Sequence, residues 1–208
     1  MTKKLDRRTL YTQTAIKDSF LNLLEKQSFP KLNVTAICKE ADITRSTFYL
    51  HYIDIYDVLD QVLNDALDAT TMKNKAAPWD IAKIIAESSD PVKFIDTHIS
   101  DLPICHRVAL IPKYKALFTD ETLNSYILQH ILTKQKTEVI HNMVAHFRID
   151  SALAESLYTF LINGSFAVNQ QYKWESTPQW RAAQAMIFRF IHSGIQGLLE
   201  GRKKETRY

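Results

Sequence analysis

The segment from Asn33 to Tyr52, NVTAICKEADITRSTFYLHY, holds the residues whose types and spacing best suit chemistry. Its second half combines hydroxyl, guanidinium and imidazole side chains, and no acidic residue occurs between Ile43 and Ile53. An arginine can bind O6 and N7 of guanine together, while hydroxyl groups reach phosphate oxygens. The composition therefore indicates a helix that reads the DNA major groove. The alternative is a solvated helix face that lacks carboxylates by chance.

Two short helices are predicted to position these side chains. Asn33 is an N-cap residue for a helix that continues to Ala41, and Thr44 is an N-cap residue for a helix from Arg45 to Tyr52. Because the joint between the two helices is so short, they must cross rather than lie antiparallel. This is the geometry of a helix-turn-helix.

The joint and the second helix lead to three further predictions. Asp42 is expected to adopt the left-handed backbone conformation, which aspartate tolerates. Ile43 is expected to be a buried plug between the helices, and Phe48 and Tyr52 are expected to form a buried i, i+4 pair.

The segments on either side of this motif also have helical periodicity. A first helix is predicted from about Thr9 to Gln27, and Asp54 is predicted to cap a longer helix that continues to about Lys73. No segment alternates with period two, and all four glycines lie after position 160. The fold class is therefore expected to be all-α.

The rest of the chain is predicted to contain three or four helices between 79 and 150, then two long helices at about 151–174 and 178–200. Each of the two long helices has two apolar stripes. One stripe can cover the body of the subunit, and the other needs a second copy of the chain. Four small residues permit close helix approach: Gly164, Ser165, Gly194 and Gly197. We therefore expect a homodimer with a four-helix bundle at its interface, the alternative being that both stripes are packed within one subunit.

Over about 60 residues the chain resembles the DNA-binding domain of TetR-type (tetracycline-repressor-like) regulators. The shared pattern is an apolar first helix, an N-cap before V-x-x-I, a turn, and then T/S-R-x-T-F-Y-x-H-Y. The residues that match it are Ile16, Phe20, Leu24, Phe29, Val34, Ile37, Ala41, Ile43, Thr44, Arg45, Thr47, Phe48, Tyr49, His51 and Tyr52. The stretch IDIYDVL, residues 53–59, is similar to the start of the fourth helix in a subgroup from low-GC Gram-positive bacteria.

The resemblance implies which residues contact double-stranded DNA. Three would face the bases: Arg45, Ser46 and Thr47. Four would hold phosphates or lie at the edge of the groove: Thr44, Tyr49, His51 and Thr35. It also implies a DNA-binding head at residues 1–53, linked by helix 54–73, and a regulatory and dimerisation domain at 54–208.

The expected function is that of a homodimeric repressor that binds a palindromic operator and is released by a small-molecule effector. In the middle of the chain six aromatic and polar residues are candidates to line the effector pocket: Tyr114, Phe118, Tyr126, His130, Tyr158 and Asn163. The alternative is a TetR-like regulator that is controlled by a protein partner, or that acts as a co-activator without a small-molecule ligand. The discriminating feature is a closed, solvent-poor pocket in the middle domain: an occupied cavity favours the first hypothesis, and a filled core favours the second.

The charge distribution agrees with a DNA-binding head. Residues 1–53 contain nine basic and five acidic residues, whereas the whole chain has a net charge of only +3. A basic terminal third on a near-neutral body suits binding to a polyanion.

Other functional classes find little support in the sequence. His141 and His146 are five residues apart, which does not place them on one helix face, so no metal site is expected. No Walker loop, G-x-S-x-G, H-E-x-x-H or C-x-x-C motif occurs, and the adjacent Cys105 and His106 do not make a catalytic dyad. We therefore expect neither an enzyme nor a cofactor.

The expected location is the cytoplasm, without membrane association. Cys38 and Cys105 form no disulfide framework, which favours a reducing compartment. No run of 18 apolar residues occurs, and the basic start of the chain is not followed by the apolar stretch of a secretory signal.

Overall fold

The computed structural model describes residues 7–69, 78–99, 102 and 111–205. Within these ranges the regular elements are ten α-helices and three short 3₁₀ turns, and no strand occurs, which confirms the all-α prediction. The α-helices are α1 (Arg7–Leu24), α2 (Val34–Glu40), α3 (Arg45–Tyr49), α4 (Ile55–Ala69), α5 (Pro78–Glu87), α6 (Pro91–Thr97), α7 (Lys115–Thr119), α8 (Asn124–Phe147), α9 (Ser151–Gln171) and α10 (Pro178–Glu205). Lys73 and Cys105, to which sequence predictions referred, lie outside the described residues.

The chain divides into two compact units. The first contains the described residues 7–69 and 111–127, and the second contains 78–99, 102 and 128–205. The helix-turn-helix segment, α4 and the segment 111–127 thus belong to the same unit. The boundary expected after residue 53 stays a prediction.

In the first unit α1 packs against α2, α4 and α7. Ile16 and Phe20, two residues of the predicted apolar stripe of α1, are fully buried. Two hydrogen bonds tie the segment 111–127 to the rest of this unit. The amide of Phe29 donates to a carboxylate oxygen of Asp120 at 2.6 Å. The hydroxyl group of Tyr126 donates to Asp60 in α4 at 2.7 Å.

In the second unit α10 packs against α5 and α6, where Trp180 and Phe188 are buried with Ile85 and Ile95. The indole nitrogen of Trp180 donates to the side-chain oxygen of Asn169 at 2.8 Å, which links α10 to α9. A second apolar cluster joins the end of α8 to the start of α9.

The two long C-terminal helices are present, with small differences at their ends. Helix α9 ends at Gln171 rather than near 174, because Lys173 and Trp174 adopt positive φ angles of 51° and 56°. Helix α10 continues to Glu205, five residues beyond the predicted end at 200.

Candidate functional site

The helix-turn-helix segment begins at two side-chain caps. The side-chain oxygen of Asn33 accepts a hydrogen bond from the amide of Ala36 at 2.9 Å, at the start of α2. The hydroxyl oxygen of Thr44 accepts one from the amide of Thr47 at 3.1 Å, at the start of α3. Each cap satisfies an amide that the first helical turn leaves without a partner. Both predicted N-caps are confirmed.

The joint between α2 and α3 is formed by residues 41–44. Asp42 has a φ angle of 51°, which confirms the predicted left-handed conformation. Ile43 is half-buried rather than fully buried, and its amide donates to the carbonyl of Cys38 at 3.0 Å. The prediction that Ile43 is a buried plug is therefore only partly correct.

Helix α3 ends earlier than the sequence predicts. Its regular part stops at Tyr49 instead of Tyr52. The amides of His51 and Tyr52 both donate to the carbonyl of Phe48, at 2.9 and 3.0 Å, so the last turn tightens instead of continuing. The predicted pair of Phe48 and Tyr52 is confirmed, since both side chains are buried and their ring centroids lie 5.8 Å apart.

The opposite side of α3 is exposed and carries the residues proposed to contact DNA. Arg45, Ser46 and Tyr49 are all exposed, as is Leu50 immediately after the helix. These positions share one helix face because they are spaced i, i+1, i+4 and i+5. Leu50 is 80% exposed and was not among the predicted contacts. Its spacing from Arg45 and Ser46 places it on the same helix face.

The side chains of Arg45 and Tyr49 contact each other on this face. A guanidinium nitrogen of Arg45 donates to the hydroxyl group of Tyr49 at 3.4 Å, and the guanidinium carbon lies 6.0 Å from the centroid of the Tyr49 ring. The hydrogen bond from Arg45 to Tyr49 raises the pKa of Arg45. The arginine is therefore charged, exposed and already directed along the helix face.

The remaining residues that are predicted to contact DNA differ in their exposure to solvent. Thr35 is exposed on α2, whereas Thr47 and His51 are half-buried. The hydroxyl group of Thr44 lies 2.8 Å from that of Ser46 and 2.9 Å from that of Thr47. Thr44 thus caps α3 and also organises the hydroxyl groups of its first turn.

Three carboxylates near this surface, those of Glu40, Asp54 and Asp57, are engaged by other groups. Glu40 at the end of α2 forms an ion pair with Lys26 at 3.1 Å. Asp54 accepts hydrogen bonds from the amides of Tyr56 and Asp57, and Asp57 accepts one from the amide of Ile53 at 3.0 Å. This reciprocal capping at the start of α4 confirms the predicted cap at Asp54 and holds both carboxylates against the backbone.

The six residues predicted to line an effector pocket are divided between the two units. Tyr114, Phe118 and Tyr126 belong to the first unit, where the first two are buried. In the second unit His130 is half-buried on α8, and Asn163 is exposed on α9 with its amide donating to the carbonyl of Thr159 at 2.8 Å. The sixth residue, Tyr158, is buried on α9. Their role in ligand binding stays a prediction.

Tyr158 lines a cavity of about 400 Å³ in the second unit. The walls of this cavity come from α5, α8, α9 and α10 and are mainly apolar. Its volume lies within the range of about 300–1,000 Å³ that is usual for small-molecule sites. The sequence could not reveal it, because its walls come from four helices that are distant in the chain.

Three further features concern metal, thiol and membrane sites. Within the described ranges no group of three or more His, Cys, Asp or Glu side chains is arranged to hold a metal ion. Cys38 is a buried free thiol whose pKa is raised by burial. Among the described residues, no helix combines the length and the apolar character that a membrane span requires.

The fold and this site together define an all-α protein with a helix-turn-helix whose second helix presents an exposed polar face. The chain is similar to YxbF of Bacillus subtilis (strain 168), an uncharacterized HTH-type transcriptional regulator, with 26% identity over 109 residues. The match covers 50% of this chain and only 28% of the length of YxbF. No protein-family profile and no solved structure matches the chain.

Proposed function

We propose that this chain is a sequence-specific DNA-binding transcriptional regulator of the TetR type, with α3 as its recognition helix. The observation that carries the proposal is the exposed face of α3, which combines Arg45, Ser46 and Tyr49. A charged arginine on such a face can bind guanine in the major groove, and the neighbouring hydroxyl groups can bind phosphates. The similarity to an HTH-type transcriptional regulator supports the broader assignment to transcriptional regulation.

We further propose that the regulator is a homodimer that binds a palindromic operator and acts as a repressor. Large apolar side chains are exposed on α9 and α10, among them Phe160 at 61%, Met186 at 67% and Phe190 at 66%. Exposed apolar patches of this kind mark interaction sites, and a second copy of the chain would cover them. Two recognition helices then meet half-sites about one DNA turn apart, or a multiple of that distance.

Release by a small molecule is the favoured form of control, and the cavity of about 400 Å³ in the second unit supports it. A ligand changes operator affinity only if it binds the two states of the regulator with different affinities, a difference that is typically worth about 1–3 kcal/mol. A filled core at this place would instead have favoured control by a protein partner.

The test of DNA binding is a gel-shift titration on an operator selected from random duplexes by repeated binding. Arg45→Ala should weaken binding by about 1–3 kcal/mol and relax base preference at one position in each half-site. Tyr49→Phe, which removes the hydroxyl group proposed to bind phosphate, should weaken binding to all sequences alike.

The matched control is Lys83→Ala, which removes one positive charge from the exposed surface of α5 in the second unit. This variant should bind the operator as the wild type does. If Arg45→Ala keeps both the affinity and the base preference of the wild type, α3 is not the recognition helix.

A further inference from the structure

Leu50, immediately after the last regular residue of α3, is a large apolar residue that is 80% exposed. In the pattern shared with TetR-type regulators it fills a variable position, and the resemblance implies no contact for it. A single exposed leucine is ordinary on a protein surface. Leu50 differs from such a residue because its neighbours on the same helix face, Arg45, Ser46 and Tyr49, are polar and carry the proposed DNA contacts.

The backbone keeps Leu50 in line with these neighbours. Its φ and ψ angles of −72° and −20° are helical, and its amide donates to the carbonyl of Ser46 at 3.2 Å. A helical side chain leans toward the start of its helix, over the residues three and four positions earlier. Leu50 therefore extends the face of Arg45 and Ser46 by one helical turn.

The four side chains of this face differ in what they can offer to DNA. Arg45 and Tyr49 contact each other, and the hydroxyl group of Ser46 lies 2.8 Å from that of Thr44. Each of these groups can also bind a phosphate or a base edge. The side chain of Leu50 has no donor or acceptor, so it contributes to binding only through an apolar contact.

The major groove restricts the partner of such a contact. The base edges present hydrogen-bond donors and acceptors there, and thymine alone adds an apolar group, its C5-methyl group. Burial of one methyl-sized group is worth about fourfold in affinity. Leu50 lies five residues after Arg45, which is about 7.5 Å along a helix axis, or about two base-pair steps of DNA.

We propose that Leu50 determines specificity by contacting the C5-methyl group of a thymine in each operator half-site. This thymine is expected within about two base pairs of the guanine that Arg45 binds. The inference rests on the proposed function, in which α3 is the recognition helix, and it adds a second base to those that α3 reads.

The experiment uses the full chain and the operator selected from random duplexes. Uracil lacks only the C5-methyl group of thymine, so each thymine of a half-site is replaced by uracil in turn. In gel-shift titrations the wild type should bind about fourfold more weakly when the contacted thymine is replaced. Leu50→Ala should bind the unmodified operator at least fourfold more weakly, and the same uracil should then cause no further loss. Leu50→Met keeps an apolar contact and should keep the effect of uracil.

Two variants serve as controls. Arg45→Ala should weaken operator binding and still show the fourfold effect of uracil, which separates loss of the methyl contact from weak binding in general. Ile84→Ala removes an equally large apolar group from an exposed position on α5 and should bind as the wild type does. Thermal unfolding of Leu50→Ala should match that of the wild type, because the side chain is exposed.

The role of Leu50 would be overturned by a wild type that is insensitive to uracil at every thymine, or by equal sensitivity of the wild type and Leu50→Ala. Wild-type affinity of Leu50→Ala for the operator would overturn it as well, and would leave this side chain to a protein partner or to solvent. Each of these results leaves the proposed function intact if Arg45→Ala weakens binding. A wild type that selects no operator would instead contradict the proposed function, and this inference with it.

Discussion

Tyr52 and Tyr126 are two tyrosines of the first unit whose hydroxyl groups differ in hydrogen bonding. The hydroxyl group of Tyr126 donates to Asp60 at 2.7 Å. The hydroxyl group of Tyr52 is buried and has no hydrogen-bond partner among the described residues. A buried polar group without a partner costs free energy, whereas a hydrogen bond to a charged group stabilises the fold. The same chemical change at the two positions should therefore have opposite effects.

Tyr126→Phe is expected to lower the free energy of unfolding by about 1.5–3 kcal/mol, because it removes a hydrogen bond to a carboxylate. Tyr52→Phe is the matched control and should leave the free energy of unfolding unchanged or raise it. Urea denaturation of both variants and the wild type at neutral pH measures the difference. Equal destabilisation by the two substitutions would contradict the assignment of these contacts.

The contribution of Tyr126 to the free energy of unfolding should also depend on pH. Burial, and then the hydrogen bond to Asp60, raises the pKa of Tyr126 from 10.0 to about 12. Between these two pH values the unfolded chain has lost the proton and the folded chain has kept it, so stability falls as pH rises. The advantage of the wild type over Tyr126→Phe should be complete below pH 10 and disappear towards pH 12. An advantage that stays constant over this range would exclude Tyr126 as the titrating group.

At the scale of elements, the joint between α2 and α3 depends on the backbone of Asp42. A φ angle of 51° is strained for most residues, and it is worst for β-branched ones. Asp42→Val should lower the free energy of unfolding by about 1–2 kcal/mol, whereas Asp42→Gly should leave it unchanged or raise it slightly. Thermal and urea unfolding of both variants gives the ranking.

The control is the same pair of substitutions at Lys83, an exposed position in the middle of α5. A helix interior disfavours glycine more than valine, so the order of stability should reverse there. If valine and glycine rank in the same order at both positions, the left-handed turn does not govern the joint.

The local parts of this head could be predicted from sequence because short-range chemistry determines them. Asn33, Thr44 and Asp54 are capping residues next to apolar helical stripes, and each caps the helix that follows it. The predicted end of α3, Tyr52, lies beyond the observed end, Tyr49. The residue types do not show where a last helical turn tightens. Helix existence follows from local preference, whereas helix ends depend on tertiary contacts.

The cavity, by contrast, could not be predicted from local sequence. The sequence indicates pocket residues only by their type, and of the six candidates Tyr158 lines the cavity. A void exists where helices that are distant in the chain fail to fill the space between them, and no single segment encodes this failure. The segment 111–127 is similar, because its place in the first unit depends on partners such as Asp60 that are far away in sequence.

For the whole molecule, the two apolar stripes of α9 support the proposed dimer, because they differ in burial. On α9 the stripe with Ala154, Tyr158 and Phe166 is buried within the second unit. The other stripe includes Leu153, which is 56% exposed, and Gly164, which is also exposed. One face is thus fully covered by the subunit itself and the other only in part, since Leu157 and Leu161 of the second stripe are half-buried.

Gly197 provides a test that separates dimerisation from folding. A Cβ atom at this position meets no atom within 4 Å, so a larger side chain causes no clash within one chain. Gly197→Leu should weaken self-association by about 1–3 kcal/mol if a second copy packs closely there, because overpacking a close helix contact has that cost. Sedimentation equilibrium over a range of concentrations measures the dimer dissociation constant, and Gly197→Ala controls for the change in helix propensity. Thermal unfolding of the isolated monomer should show no loss of stability in either variant.

A wild type that is monomeric at micromolar concentration, or a Gly197→Leu variant that dimerises as the wild type does, would contradict the packing of α10 against a second copy. A monomeric wild type would also remove the reason to expect a palindromic operator, since two-fold symmetry in DNA reflects two-fold symmetry in the protein.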